Sequence, residues 1–424
     1  MSQAKPRVPA VVLLLAAVIF ALGTSEFMIA GLLEEMAAEL HVSLGQTGLL
    51  VTGFAVGMIF GAPVLAVLTL KLPVRTTMLA AILTFAAAHV MGALAPGYGT
   101  LMASRVIAAI ACGGFWAVAA VHTVRVAPPA VTARSLAALV GGLTVANLIG
   151  VPAGALLGHV FGWRSAFWAL AVVTALAAVL VAFTVKSLPR KEDLPPLKSL
   201  VRLELRVFRY PRIWLALSIT ALFQGSVFAA FSYFGPLLTH TAGLDPVWVP
   251  AVLAAFGVGA LVGVTVGGRL ADRGLFANMI GSLVALVAAF ILLALVARWW
   301  LPAVCAIVLI GLSGFSIAGA LNARVFQVAG GAPTLAASVN TSAFNVGNAA
   351  GPALGAAALT LGLPVVTTVW IGAVLAVLAL MLALVARRTD SRWAAKEEGP
   401  GAKTGTGPDR GAADRDGGSL TRPR

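Results

Sequence analysis

Twelve stretches of this chain, each about 20 residues or longer, carry almost no charge, and no other feature constrains its fold as much. A helix needs about 20 apolar residues, at 1.5 Å per residue, to cross the hydrocarbon of a bilayer. On that rule spans fall near 10–33, 46–70, 75–95, 100–124, 134–158 and 164–186. After a polar linker they resume near 212–238, 248–270, 276–297, 300–322, 334–360 and 364–386. Only 10% of the residues are charged, where a soluble protein would carry about 25%. The expectation is an all-α polytopic membrane protein. Lys5 and Arg7 precede the first apolar run as they would in a signal peptide, but that run is too long for one and lacks a small-residue cleavage site. It reads as a retained first helix.

The net charge of +14 would suit nucleic acid, but the placement of the charges argues against it. Lys and Arg recur in alternate loops: Lys5 and Arg7 before the first span, then Lys71 and Arg75, Arg125 and Arg134, the central linker, Arg269 and Arg273, and Arg324. The intervening loops lack them apart from Arg164 and Arg298, and the first of these loops carries Glu34, Glu35 and Glu39 instead. This is the positive-inside pattern, and it puts both termini in the cytoplasm. No basic domain of fold-forming size remains, so nucleic acid is not an expected partner. Cys112 and Cys305 sit in apolar segments and support neither a disulfide framework nor a metal site. There is no GxxxxGK[ST] loop and no nucleophile–base cluster, so neither ATP drive, enzymatic chemistry nor a cofactor is expected.

Of the 15 acidic residues, Glu26 alone lies well inside a span, in GTSEFMIAG. A carboxylate in hydrocarbon is costly and normally faces a partner or a water-filled cavity. The two halves of the chain also repeat. Phe54-Ala-Val-Gly57-Met-Ile-Phe-Gly61 parallels Phe256-Gly-Val-Gly259-Ala-Leu-Val-Gly263, and Asn147, Gly150 and Gly154 parallel Asn348, Gly351 and Gly355. The two separations agree to within one residue. The expected organisation is a six-helix bundle over 1–186, a cytoplasmic linker over 187–211, a second six-helix bundle over 212–387, and a disordered cytoplasmic tail over 388–424. Within the linker, LKSLVRLELRVF has the pattern of a short amphipathic helix on the membrane face.

Together these segments resemble the major facilitator superfamily. The second half carries its loop motif nearly intact as Gly268-Arg-Leu-Ala-Asp272-Arg273, while the first-half copy is degraded to VLTLKLPVR. Span 4 has the family's Arg as Arg105, and span 5 reads Gly150-Val-Pro152-Ala-Gly154, a variant of the antiporter motif. Gly162-Trp163-Arg164-x-x-Phe167-Trp168 follows it. Within the superfamily, GTSEFMIAGL, VTGFAVGMIFGAP, FAAFSYFGPLLTHTAGL and VFQVAGGAPTLAASVNTSAFNVGNAAGP are similar to the twelve-span drug:proton antiporters. The likeness is to chloramphenicol-resistance exporters of the arabinose-efflux-permease-like branch. Glu34 departs from these relatives, which usually have Pro there.

The resemblance implies two pseudo-symmetric six-helix bundles that rock about a central cavity, in a cell membrane, working as a monomer on a small-molecule drug and protons. It brings Glu26 and Arg105 within reach of each other as a proton-coupling pair, since burial opposes charge on a carboxylate and a neighbouring Arg favours it. The alternative is a static pair that ties spans 1 and 4. Gly268, Asp272 and Arg273 read as a gate, or else as an anchor. Gly150, Pro152 and Gly154 read as a kinked, closely packed antiporter helix. Trp116, Asn147, Gln224, Phe228, Phe231 and Ser313 are candidates for a substrate cavity, with core packing as the alternative for each Phe. His89 and His122 lie near span ends and read as interfacial. The expected function is proton-driven export of a small hydrophobic antibiotic, a phenicol first, conferring resistance. Efflux of a sugar or another metabolite, and a non-transporting membrane sensor or scaffold, are the rivals.

Overall fold

The computed structural model describes residues 8–69, 72–128, 131–185, 211–329 and 333–397, nearly all of them helical. Hydrocarbon offers no water to backbone N–H and C=O groups, so each apolar run closes those bonds within itself. The long helices are α1 Ala10–Gly31, α2 Leu44–Thr69, α3 Val74–Ala93, α4 Tyr98–Val126, α5 Arg134–Phe161 and α6 Trp163–Thr184. They continue with α7 Pro211–Phe231, α8 Pro246–Arg273, α9 Leu275–Val296, α10 Trp300–Val325, α11 Pro333–Thr360 and α12 Thr367–Glu397. By length and composition 11 of them suffice to cross a membrane. The helix outside that set is α11, which carries Asn340, Asn345 and Asn348 and packs along both α7 and α2.

The pairing of helices repeats between the halves. In the first half α2 packs on α4, α3 on α4 and α6, and α1 on α5; in the second α8 packs on α10, α9 on α10 and α12, and α7 on α11. The most extensive contacts between the halves are α2 with α11 and α5 with α8. The repeated glycines account for this symmetry. A Cβ on Gly57 would lie 2.9 Å from the Val106 carbonyl oxygen of α4, and one on Gly259 2.5 Å from that of Val308 in α10. Gly61 and Gly263 meet the same neighbouring helices one turn further on. Small residues at this spacing bring backbones together where lipid supplies no hydrophobic drive.

Two findings concern basic residues, and the one at the tail corrects the sequence reading. Arg164 stands on the side of the bundle otherwise poor in Lys and Arg, but it is not a free cation. It ion-pairs with Glu39, donates to the Ala95 carbonyl oxygen at 3.0 Å and lies 4.3 Å from the centre of the Trp163 ring. The turn that places it requires Gly162, whose φ of 81° is open to glycine at little cost. The second is at the tail. Disorder was expected from residue 388, yet α12 continues to Glu397. Arg324, read as a loop residue, is buried in α10, ion-paired with Asp390 and 4.8 Å from the centre of the Phe276 ring. The expected amphipathic linker, Lys5, Arg7, Lys71 and the tail from 398 lie outside the described residues.

The ion pair makes a direct prediction. Asp390→Ala leaves the Arg324 charge buried without its partner, a change worth about 3 kcal/mol. The thermal midpoint of the purified protein should fall, and proteolysis should reach the end of α12. Unchanged melting and cleavage would mean that the pair does not hold that end of the helix.

Candidate functional site

Four consecutive residues near the end of α1 reach four different neighbours, because successive side chains on a helix turn by about 100°. Thr24 faces α5, where Gly150 leaves room for its hydroxyl. Ser25 faces α3 and α4, Glu26 faces α11, and Phe27 faces α7. Directly after Phe27 the α-helix tightens into a 3-10 turn, Met28–Gly31.

Ser25 is the centre of a fully buried polar chain. Arg105 Nη1 donates to Ser25 Oγ at 2.8 Å, and Ser25 Oγ lies 2.7 Å from His89 Nε2. His89 Nδ1 lies 2.8 Å from the Phe85 carbonyl oxygen. A carbonyl only accepts, so Nδ1 carries the proton, Nε2 accepts from Ser25, and one imidazole proton satisfies the ring. His89 is 1% exposed and His122 2%, so both side chains are buried among the helices. Distance from a helix end is legible in sequence, but the face a side chain takes is not.

Arg105, 1% exposed, does not form the expected ion pair with the Glu26 carboxylate. Its Nη2 donates to the Glu26 backbone carbonyl at 3.3 Å, and its guanidinium stacks 4.4 Å from the centre of the Phe54 ring. The two residues are adjacent, as expected, but Arg105 holds the backbone of α1 and leaves the carboxylate to another partner. That partner is Asn348 of α11, whose Nδ2 donates to Glu26 Oε1 at 3.2 Å. Gln224 Nε2 in turn donates to Asn348 Oδ1 at 2.8 Å. The carboxylate thus bridges the halves of the molecule. Further along the same helices Thr220 Oγ1 donates to Asn340 Oδ1 at 3.2 Å, and Asn340 Nδ2 to Asn322 Oδ1 at 2.7 Å. Sequence reasoning found Asn348 only as a member of the repeat. The signal it missed was a second Asn eight residues earlier, which places both amides on one face of α11.

The remaining candidates divide. Phe228 and Phe231 are buried against Phe27, with ring centres 5.0 and 6.5 Å from it, and Phe231 continues to Phe234 and Phe256 at 5.9 and 5.0 Å. Gln224 joins Glu26 through Asn348. Asn147 donates back to the Leu143 carbonyl oxygen at 3.1 Å from a π-turn, Ala146–Gly150. Pro152 stands one residue beyond it; it has no N–H to return to the preceding turn, which is the widened one. Gly150 and Gly154 pack this irregular segment on Thr24 and Met28 of α1. Trp116 is partly buried against the core of the first half. Ser313 lies elsewhere, in a groove of about 420 Å³ between α8, α9 and α10 that Arg273 also lines. Asp272 and Arg273 are exposed, and among the described residues neither forms an ion pair. Gly268 has nothing within 4 Å of where a Cβ would stand.

Eleven helices long and apolar enough to cross a membrane, together with α11, in two related bundles bridged by a buried acid, define a polytopic membrane protein. Comparison with known proteins agrees. The family model described as Major Facilitator Superfamily matches residues 15–341, and the chain belongs to that superfamily. It is a membrane transporter and not an enzyme. It is 40% identical over 376 residues to a chloramphenicol resistance protein of Streptomyces lividans, covering 87% of this chain and 94% of that one. It is 35% identical over 369 residues to the inner membrane transport protein YdhP of Escherichia coli strain K12, covering 87% and 94%. Among solved structures, an inward-facing, unoccupied bacterial homologue of the human lysosomal transporter Spinster superposes with a TM-score of 0.76 at 18% identity, covering 91% of this chain and 98% of that one. The nucleoside transporter NupG, as its D323A mutant, superposes at 0.73 and 13% identity, covering 90% and 100%. These two share the fold.

Proposed function

We propose that the chain is a proton-driven antiporter that exports a small hydrophobic antibiotic, a phenicol such as chloramphenicol first among them. The observation that carries this reading is Glu26: an acid inside a membrane helix, 8% exposed, held by amides of the opposite half rather than neutralised by a salt bridge. Such a group takes up or gives up a proton according to what faces it, which is the requirement for exchange. The similarity to a chloramphenicol resistance protein supports the substrate class.

The orientation follows from the loop charges, with both termini cytoplasmic in a cell membrane and the whole working as a monomer. The two bundles correspond to 1–186 and 212–387. Among the hydrogen bonds that cross between them are Asn348 to Glu26, Thr52 to the Ala349 carbonyl oxygen at 3.0 Å, and Thr239 to Glu34. All three lie toward the end that carries the loop after α1, so on this reading that outer end is shut and the cavity faces inward. Asp272, exposed at the inner end, is then a gate in its released state. Glu34, where relatives usually have Pro, contributes to closing the outer end. A second reading, export of a more polar metabolite, draws on the amides of α11 and α7.

Inverted vesicles with an acidified lumen and a fluorescent pH reporter test the proposal. Chloramphenicol should release lumenal protons, and arabinose and nucleosides should not. Release by the metabolites alone would favour the second reading. Silence toward all of them from correctly inserted protein would remove proton-coupled export of these compounds.

A further inference from the structure

We infer that the Glu26–Asn348 hydrogen bond is an interlock that forbids the unloaded carrier from changing state, an inference that rests on the antiporter reading above. An exchanger has to prevent its empty, unprotonated form from crossing, or the two fluxes come apart. The interlock identifies what prevents it and which two ligands release it.

The argument begins with the direction of one amide. Gln224 Nε2 donates to Asn348 Oδ1 at 2.8 Å, which occupies the oxygen end of Asn348 and turns its NH₂ toward Glu26. An NH₂ needs an acceptor, and an ionised carboxylate is the strongest one available, since hydrogen bonds to charged groups are about twice as strong as neutral ones. A protonated carboxyl offers a weaker oxygen, or an O–H that meets the N–H head on. The bond is therefore tightest when Glu26 carries no proton.

Asn348 cannot yield alone. On either side of it, a Cβ on Gly347 would lie 2.7 Å from the Gly225 nitrogen and one on Gly351 2.8 Å from the Ala229 nitrogen, both backbone atoms of α7. The α7 and α11 backbones are in contact and move as one body. Glu26 belongs to the other half, held through its backbone carbonyl by Arg105. Separating the halves at this level means breaking the Glu26–Asn348 bond. A proton on Glu26 weakens it, and so does an incoming neutral molecule whose hydroxyl or amide N–H takes the place of the Asn348 amide. Both releases act on the same oxygen, so proton and substrate exclude each other. Among the described residues the other titratable groups around this point are Arg105 and Cys112 of α4 and His89 of α3, and α7 and α11 bring the amides of Gln224 and Asn348 to it.

The test uses full-length protein in liposomes with an imposed pH gradient and no drug. Asn348→Ala should dissipate the gradient roughly tenfold faster than the native chain, the change in a two-state equilibrium expected from losing one charge-assisted bond. Adding Glu26→Gln to that variant should restore the native rate, which general damage to the fold would not do. Independently of transport, spin labels at Ala38→Cys and Val247→Cys, in a Cys305→Ser background, report the gap between the halves at the outer end. Native protein at pH 8 should give one short distance, and Asn348→Ala a broadened or longer one. Asn348→Ala that neither leaks nor shifts the label distance overturns the interlock. A native protein whose drug transport ignores protons sinks the antiporter reading instead, and the label distances still decide whether the bond holds the halves together.

Discussion

Glu26→Gln should abolish drug-driven proton release in vesicles and return the resistance of cells expressing the protein to that of cells without it. Gln has the size of Glu and keeps a carbonyl oxygen for Asn348 Nδ2, so the bridge between the halves is retained in shape. It cannot take up or lose a proton at neutral pH. The substitution therefore removes the titration and leaves the contact. Binding of chloramphenicol by equilibrium dialysis should weaken several-fold, because Gln, like a protonated Glu26, is a neutral and therefore weaker acceptor. Glu26→Asp keeps the acid but draws it back by one methylene from Asn348, so exchange should persist at a reduced rate. If Glu26→Gln vesicles release protons on drug addition as the native ones do, the coupling acid lies elsewhere in the chain.

The second large effect is structural. Gly351→Val should destabilise the protein by about 3 kcal/mol or more, because the added atoms overpack a contact already closed. The Cβ would run into the Gly225 carbonyl oxygen and lie 2.8 Å from the Ala229 nitrogen, and neither backbone atom can swing aside. The helices α7 and α11 must part. Parting them strains the Gln224–Asn348 bond and the one from Tyr233 Oη to the Pro352 carbonyl oxygen, 2.9 Å long. The contrast is Gly268→Ala, with nothing within 4 Å, where a helical Gly→Ala change stabilises by about 0.5–1 kcal/mol. Thermal unfolding in detergent compares the two. Gly351→Val melting alongside the native protein would show that α7 and α11 are less tightly joined than these distances require.

The sequence carried the membrane helices and Glu26 plainly, for one physical reason: both are departures along the chain between hydrocarbon-compatible and water-compatible residues. The repeated glycines were legible too, since close backbone approach has few other solutions. What was not legible depends on rotation about the helix axis. His89 and His122 looked interfacial by depth and turned out to face inward. Arg105 was placed correctly next to Glu26, but the atom it holds, a backbone carbonyl, leaves no mark in sequence. Asn348 lies far along the chain from Glu26, and nothing local to α11 names an acid as its partner. Arg164 remains an exception to the loop charges, and its pairing with Glu39 is not something the sequence spells out. Disorder beyond residue 387 was inferred from composition, which is blind to one buried ion pair between Arg324 and Asp390.

The cluster of Phe27, Phe228, Phe231, Phe234 and Phe256 also sets how the molecule insulates. These rings touch one another, some edge to face and some tilted, and together form a wall of hydrocarbon. A narrow passage walled by hydrocarbon also sheds water of its own accord. On the antiporter reading, such a wall would bar water between the loop after α1 and Glu26. If Glu26 exchanges protons as proposed, its supply from that side depends on the separation of these rings, and a smaller side chain at Phe228 or Phe231 would act less like a change of binding site than like a short circuit.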